Sequence, residues 1–313
     1  FAYNVNYDYT GKNRGYLIGV SGRSKDYRAD VGFTRRTNNH RLNGGWRIGT
    51  EPDSTKSLIG LTTRTFLGMD FDESGRIQNA NANFNTSWNF KNQLEFGTET
   101  GIVVERIYED EFGPRRNALQ SGAFFGENFR GATQFFGEFD VDKTFNKRVS
   151  LSAEIGFATN ELDLDFGASE RFPRVSPAAL LGIDRQDPGE GFLFNYNIGL
   201  ELQPTDPWSV ELNYERQKLK RNDTGLTAFD SNIFSLRSTY QFTRFTFLRT
   251  RMDYDTVDGS MNSQFLFGWS PNPGTAIYAG YNDNSTYRGF NEFNNRFDNG
   301  FRRDGSRFFI RLS

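Results

Sequence analysis

The sequence predicts an all-β fold: a transmembrane, antiparallel, up-and-down β-barrel of about sixteen visible strands. Three observations carry this expectation. Apolar residues recur with period two, in segments long enough to cross a bilayer. The connections between those segments alternate between short and long. Aromatic residues reach 16%, with 33 Phe and 32 Gly, although mean hydropathy is −0.67. A barrel strand meets lipid on one face only, so half of its residues stay hydrophilic and the average looks polar.

The alternation is cleanest over residues 79–90. One face reads Ala80, Ala82, Phe84, Thr86, Trp88, Phe90, and the other Asn79, Asn81, Asn83, Asn85, Ser87, Asn89. A pleated strand sends successive side chains to opposite faces, so this pattern gives one oily and one wet side. The next segment repeats it, with Leu94, Phe96, Thr98, Thr100, Ile102 and Val104 set against Glu95, Glu99 and Glu105. Read in this way, strands fall near 2–10, 15–22, 26–36, 41–50, 57–71, 77–90, 92–106, 131–143, 148–160, 192–203, 207–218, 231–243, 244–256, 261–270, 274–282 and 306–313. Many reach the roughly 9–11 residues that a tilted transmembrane strand needs.

From residue 57 onward tight turns alternate with long connections, and the outer loops are expected near 107–130, 161–191, 219–230 and 283–305. Barrels of this class carry short periplasmic turns and longer outer loops. The final strand then runs inward and leaves the C-terminus periplasmic. The apolar run at 178–183 suggests a short loop helix or an inward-folded plug, and Phe124, Phe125 and Phe129 lie in a stretch without clean alternation.

About sixteen strands enclose a space too wide for side chains to fill, so the apolar faces are expected to point outward to lipid. Candidate lipid-facing residues are Phe84, Trp88, Phe96, Leu151, Ile155, Tyr196, Ile198, Leu212 and Leu248. Trp88, Phe90, Trp208, Tyr254 and Trp269 are candidates for the interfacial aromatic girdle. Candidate lumen-lining residues are Arg64, Glu95, Glu99, Glu138, Asp140, Glu154, Glu201, Glu211, Glu215, Arg237, Arg249, Arg251 and Asp253. Acidic and basic walls facing one another would set up a transverse field that orients polar solutes. The competing reading is a closed lumen in which these charges pair.

Other classes of function find little support. No run of about 18 apolar residues is present, so no transmembrane helix is expected. Cysteine is absent and the net charge is −2, which offers neither a thiolate site nor a basic field for nucleic acid. The single histidine, His40, reads as a residue of a polar turn. With no second histidine and no nucleophile elbow, neither a catalytic site, a metal site nor a cofactor is expected, and the chain is read as not an enzyme. Asp253, Asp255, Asp258 and Gly259 miss the spacing of a calcium loop. The loop residues Tyr287, Phe290, Phe293, Asn294, Asn295 and Phe297 are of types that stack on sugar rings.

The segment 265–281, FLFGWSPNPGTAIYAGY, resembles the penultimate hairpin of an uncharacterised bacterial outer-membrane β-barrel family. The ending RFFIRLS at 307–313, the stretch DVGFTRR at 30–36 and the strand pair at 234–255 are similar to the same family. In that family the barrel usually follows a periplasmic domain similar to family-9 carbohydrate-binding modules. The resemblance therefore implies that strands and a domain precede Phe1, and that a terminal aromatic follows Ser313. It implies no activity, catalytic residue or cofactor. The expected role is a pore or uptake channel for polar solutes, with a link to carbohydrate. The alternative is an anchor holding a periplasmic module or surface complex. Expected partners are outer-membrane lipid and lipopolysaccharide, other envelope proteins and saccharide, but not nucleic acid.

Overall fold

The computed structural model describes all residues except 29–35, 114, 115, 168, 170, 273, 288, 289, 292–295, 298 and 313. The strands are β1 (Ala2–Thr10), β2 (Arg14–Arg23), β3 (Asn39–Gly49), β4 (Leu58–Phe71), β5 (Ile77–Phe90), β6 (Leu94–Tyr108), β7 (Phe129–Asn146) and β8 (Val149–Asp163). They continue with β9 (Gly189–Thr205), β10 (Trp208–Arg221), β11 (Thr227–Thr243), β12 (Thr246–Asp255), β13 (Ser260–Asn272) and β14 (Thr275–Tyr287). A two-residue hairpin, β15 (Phe290–Asn291) and β16 (Arg296–Phe297), precedes β17 (Phe301–Leu312). Among the described residues, one fifteen-stranded sheet runs β1 to β14 and then β17 in chain order, and every pairing in it is antiparallel. Within it β1 pairs only with β2, and β17 only with β14.

The strand expected at 26–36 falls between β2 and β3 in the chain. β2 pairs directly with β3, from Arg14 against Ile48 to Arg23 against Asn39, and this leaves no place for another strand between them. Residues 29–35, with the Gly-Phe-x-x-Arg stretch, lie outside the described residues. One end of the sheet carries the turns 11–13, 50–57, 91–93, 147–148, 206–207, 244–245 and 273–274. The other end carries 24–38, 72–76, 109–128, 164–188, 222–226, 256–259 and 288–300. His40 also departs from expectation. It sits within β3, its ring stacked between Tyr3 and Phe71 at centroid distances of 5.8 and 5.9 Å, and 3.0 Å from the Tyr3 hydroxyl.

Among the described residues the sheet has no second layer. Among the described residues the buried apolar side chains are Ile107, Phe124, Ala132, Ala158, Leu162, Val175, Ala178, Leu219 and Ala228, which cluster towards the long-loop end. Phe84, Ile155, Ile198, Leu212 and Phe234 are all more than a third exposed. A water-soluble β-protein of this size would bury such residues in a core. Here they share one exposed apolar face of the sheet.

Close strand approach depends on glycine at a few points. A Cβ on Gly280 would lie 2.2 Å from the Phe309 ring, which lies over that glycine from the neighbouring strand. Gly274, at φ +93° in the β13–β14 turn, occupies backbone space that side chains disfavour.

At the long-loop end the β4–β5 turn is built on Asp72. Its Oδ1 accepts from the Ser74 and Arg76 amides at 2.9 and 2.8 Å and from the Ser74 hydroxyl at 2.7 Å, and its Oδ2 accepts from Arg76 Nε at 2.6 Å. Burial would raise this carboxyl, but the hydrogen bonds from Ser74 and Arg76 and the Arg76 charge outweigh it and hold it at about 2.

Two outcomes are expected. Gly280→Ala destabilises by about 1–3 kcal/mol through overpacking, measured by denaturant unfolding in micelles. Gly60→Ala, where a Cβ would meet nothing within 4 Å, serves as the near-neutral control. Because the folded pKa of Asp72 lies below that of a free carboxyl, its contribution is complete above about pH 4 and is lost as pH falls through about 2. Amide exchange in the 72–76 turn follows that curve in the wild type, and Asp72→Asn abolishes the dependence.

Candidate functional site: a charge-segregated face

In an antiparallel ladder directly opposed residues share a face. The register therefore sorts the strand residues onto two sides without reference to curvature. One ladder row runs Arg64, Asn85, Glu99, Glu138, Gly156, Asn195, Gln217. A second runs Glu95, Asp142, Ser152, Gly199, Asn213, Ser235, Asp253. A third joins Asp140, Glu154, Asn197 and Glu215, and a fourth joins Glu201, Glu211, Arg237 and Arg251. With Arg249, opposite Thr239, these rows put all thirteen candidate polar-face residues on one side. On the other side Trp88, Phe96, Val141, Ala153, Ile198, Tyr214, Phe234 and Tyr254 form a single row. Phe84, Leu151, Ile155, Tyr196, Leu212 and Leu248 share that face.

Charges on the polar face are segregated into arcs. β6 to β10 carry Glu95, Glu99, Glu138, Asp140, Asp142, Glu154, Glu201, Glu211 and Glu215. On one flank lie Arg41, Arg47 and Arg64, and on the other Arg237, Arg249, Arg251, Arg307 and Arg311. Arg41 and Arg47, both within the strand expected at 41–50, were not among the candidates; their register against Asp70 and Arg64 places them on the polar face.

Inside each arc like charges stand directly opposite one another: Glu95 against Asp142, Glu99 against Glu138, Asp140 against Glu154, Glu201 against Glu211, Arg47 against Arg64, and Arg237 against Arg251. Such pairs destabilise a sheet. Opposite charges meet at one seam, where Arg237 reaches Glu211 at 3.1 Å, and within the β3–β4 flank, where Arg41 reaches Asp70 at 3.1 Å. Asp253 is satisfied by the Ser235 hydroxyl at 2.7 Å and Arg251 at 2.6 Å. At the short-turn end a cavity of about 790 Å³ opens on this face, lined by Arg148, Glu201, Glu211, Arg237, Arg249 and Arg251 among others.

The long-loop end of the polar face is covered. The 109–128 and 164–188 connections join through the Phe125 amide to Gln186 carbonyl bond at 2.9 Å and the return bond from the Gln186 amide to the Ala123 carbonyl at 3.2 Å. Phe124 is fully buried against Ile107, Ala132 and Leu162. The short helix α1 (Pro177–Leu180) falls in the apolar run at 178–183, capped by the Ser176 hydroxyl. Two arginines from the polar face hold this cover. Arg130 donates to the Pro188 carbonyl at 3.0 Å and pairs with Asp187 at 3.3 Å. Arg221, with no exposed side-chain surface, pairs with Asp163 and Asp223 at 2.7 Å each and donates to the Asp187 carbonyl at 3.2 Å.

A single-layer, all-antiparallel sheet with an apolar face, one charged face and its longest loops at one end is the fold of the bacterial outer-membrane β-barrels. The chain itself belongs to the family described as "Domain of unknown function (DUF5916)", whose model matches residues 1–188. No curated protein matches it in sequence. Among solved structures it is similar to the copper transporter OprC at 10% identity and a TM-score of 0.52, covering 99% of this chain and 57% of that one. It is also similar to the FrpB iron transporter from Neisseria meningitidis, at 13% identity, TM-score 0.49, covering 92% and 53%. The outer membrane channel DcaP of Acinetobacter baumannii is matched at 10% identity, TM-score 0.34, over 99% and 96%. The chain spans about half the length of the first two.

Truncating Arg221 to Ala strands Asp163 and Asp223, and a broken buried pair costs about 3–5 kcal/mol. Limited proteolysis should then cut within 164–188 of the variant under conditions that leave the wild type intact, with the sheet undisturbed by circular dichroism.

Proposed function

We propose that the chain forms the wall of an outer-membrane channel or uptake barrel for polar solutes. The observation that supports this reading is the segregation of charge on one face. Like charges opposed across a ladder weaken the sheet, so their arrangement into broad arcs answers to something other than stability. A transverse field between carboxylate and guanidinium walls orients water and dipolar solutes and admits them in preferred poses. The apolar face then meets acyl chains. The long-loop end lies outside the cell and the last strand brings the C-terminus to the periplasm. Saccharide is the solute suggested by the sequence resemblance, since a sugar offers many hydroxyls to Asn and carboxylate partners.

The full-length protein, purified in detergent and reconstituted in planar bilayers, should give discrete conductance steps. Replacing Arg237, Arg249 and Arg251 together by Glu should shift the reversal potential in a salt gradient towards cation preference. Silence from folded, inserted protein, with the loop cover opened by Arg221→Ala, would overturn the channel reading and favour an anchoring role.

A further inference from the structure

The apolar face carries a built feature that a channel wall does not require. On β10 the outward residues run Trp208, Val210, Leu212, Tyr214 and then change abruptly to Arg216, Lys218 and Lys220. The change falls at a row of packed rings. Tyr196 meets Tyr214 at 5.4 Å, Tyr214 stacks on Phe234 at 4.6 Å, and Phe234 stacks on Tyr254 at 6.4 Å. Such a row marks the level where hydrocarbon gives way to headgroups.

On the hydrocarbon side of the rings lies a groove of about 440 Å³ floored by Ile198, Leu200, Leu212, Leu236, Met252 and Met261. On the other side the polar atoms form a fixed array. Asp230 holds Arg216 through two bonds of 2.7 Å and has Lys218 at 3.5 Å. The Tyr196 hydroxyl donates to that of Tyr214 at 3.1 Å, which donates to Asn232 Oδ1 at 2.7 Å. Lys218 is 41% exposed at its side chain and Lys220 is exposed. Three cations stand against one carboxylate, on a surface that faces lipid headgroups.

We infer that this is a binding site for one lipid molecule: the phosphorylated, acylated disaccharide of outer-leaflet lipopolysaccharide. An acyl chain lies in the groove, a sugar phosphate accepts from Lys218 and Lys220 beside Arg216, and the tyrosine hydroxyls meet the sugar. Charge complementarity selects a phosphate monoester, which carries more charge and more acceptor oxygens than a phosphodiester. The inference rests on the reading that the apolar face meets lipid and the long-loop end lies outside. It is independent of any conductance.

The test uses the full-length protein, delipidated in detergent, with lipid A as probe and phosphatidylglycerol as comparison, read by native mass spectrometry. The wild type should retain one lipid A and release phosphatidylglycerol. The double variant Lys218→Glu, Lys220→Glu should retain lipid A at least about tenfold less well, and Leu212→Ser should lower retention without altering the cations. Arg216 is left in place because its pairing with Asp230 is part of the strand packing. Equal retention by wild type and double variant, or equal retention of the two lipids, would overturn the proposal. Insertion into phosphatidylcholine bilayers is expected of wild type and double variant alike. Failure of both to insert would count against the membrane reading itself.

Discussion

The backbone ladder is the constraint on which everything else in this protein depends. Each interior strand of the large sheet is paired with its neighbours in chain order on both sides. Main-chain donors and acceptors are therefore satisfied within the sheet and need no partner from either face. Once the backbone is self-sufficient, the two faces are free to follow different chemistry. Leu, Ile and Phe can be left exposed on one side, and carboxylates can be stacked opposite carboxylates on the other, because neither arrangement is asked to hold the strands together.

The two faces change character along a ladder row. One row passes from Thr100, on the apolar face of β6, through Gly137, Phe157 and Phe194 to Lys218 and Asp230 on β10 and β11. A row perpendicular to the strands thus leaves apolar side chains and meets charged ones as it crosses the sheet. Strands tilted against the barrel axis produce this drift. It explains why polar side chains appear on the coat of later strands at ladder levels where earlier strands are still greasy.

Much of this was legible in the sequence, because period two is a direct image of the pleat. Ile77–Phe90 alternates Asn with Ala, Phe, Thr and Trp so regularly that its bounds and both faces could be read at once. Where pairing extends past the alternation, as at Thr227–Ala228 or Lys220–Arg221, the strands run longer than the pattern suggests. At 26–36 alternation gives no position in the sheet: Val31, Phe33 and Arg35 alternate well enough for a strand, while the register pairs β2 directly with β3. His40 misled for the opposite reason. Its Asn and Arg neighbours look like a turn, while its ring belongs to an aromatic stack made by residues 37 and 31 positions away in the chain, Tyr3 and Phe71. The clamp around Arg221 was invisible for the same cause, since Asp163 and Asp187 approach it only after the loops have folded back.

Strand direction has a consequence of parity. β1 and β17 are the two edges of the described sheet, and fifteen alternating strands leave them running the same way, each from the long-loop end to the short-turn end. Brought together they could join only through a parallel seam. A ring that keeps its alternation throughout must interpose an odd number of further strands between these edges. The circumference of such a ring is then set by its full number of staves and not by these fifteen alone.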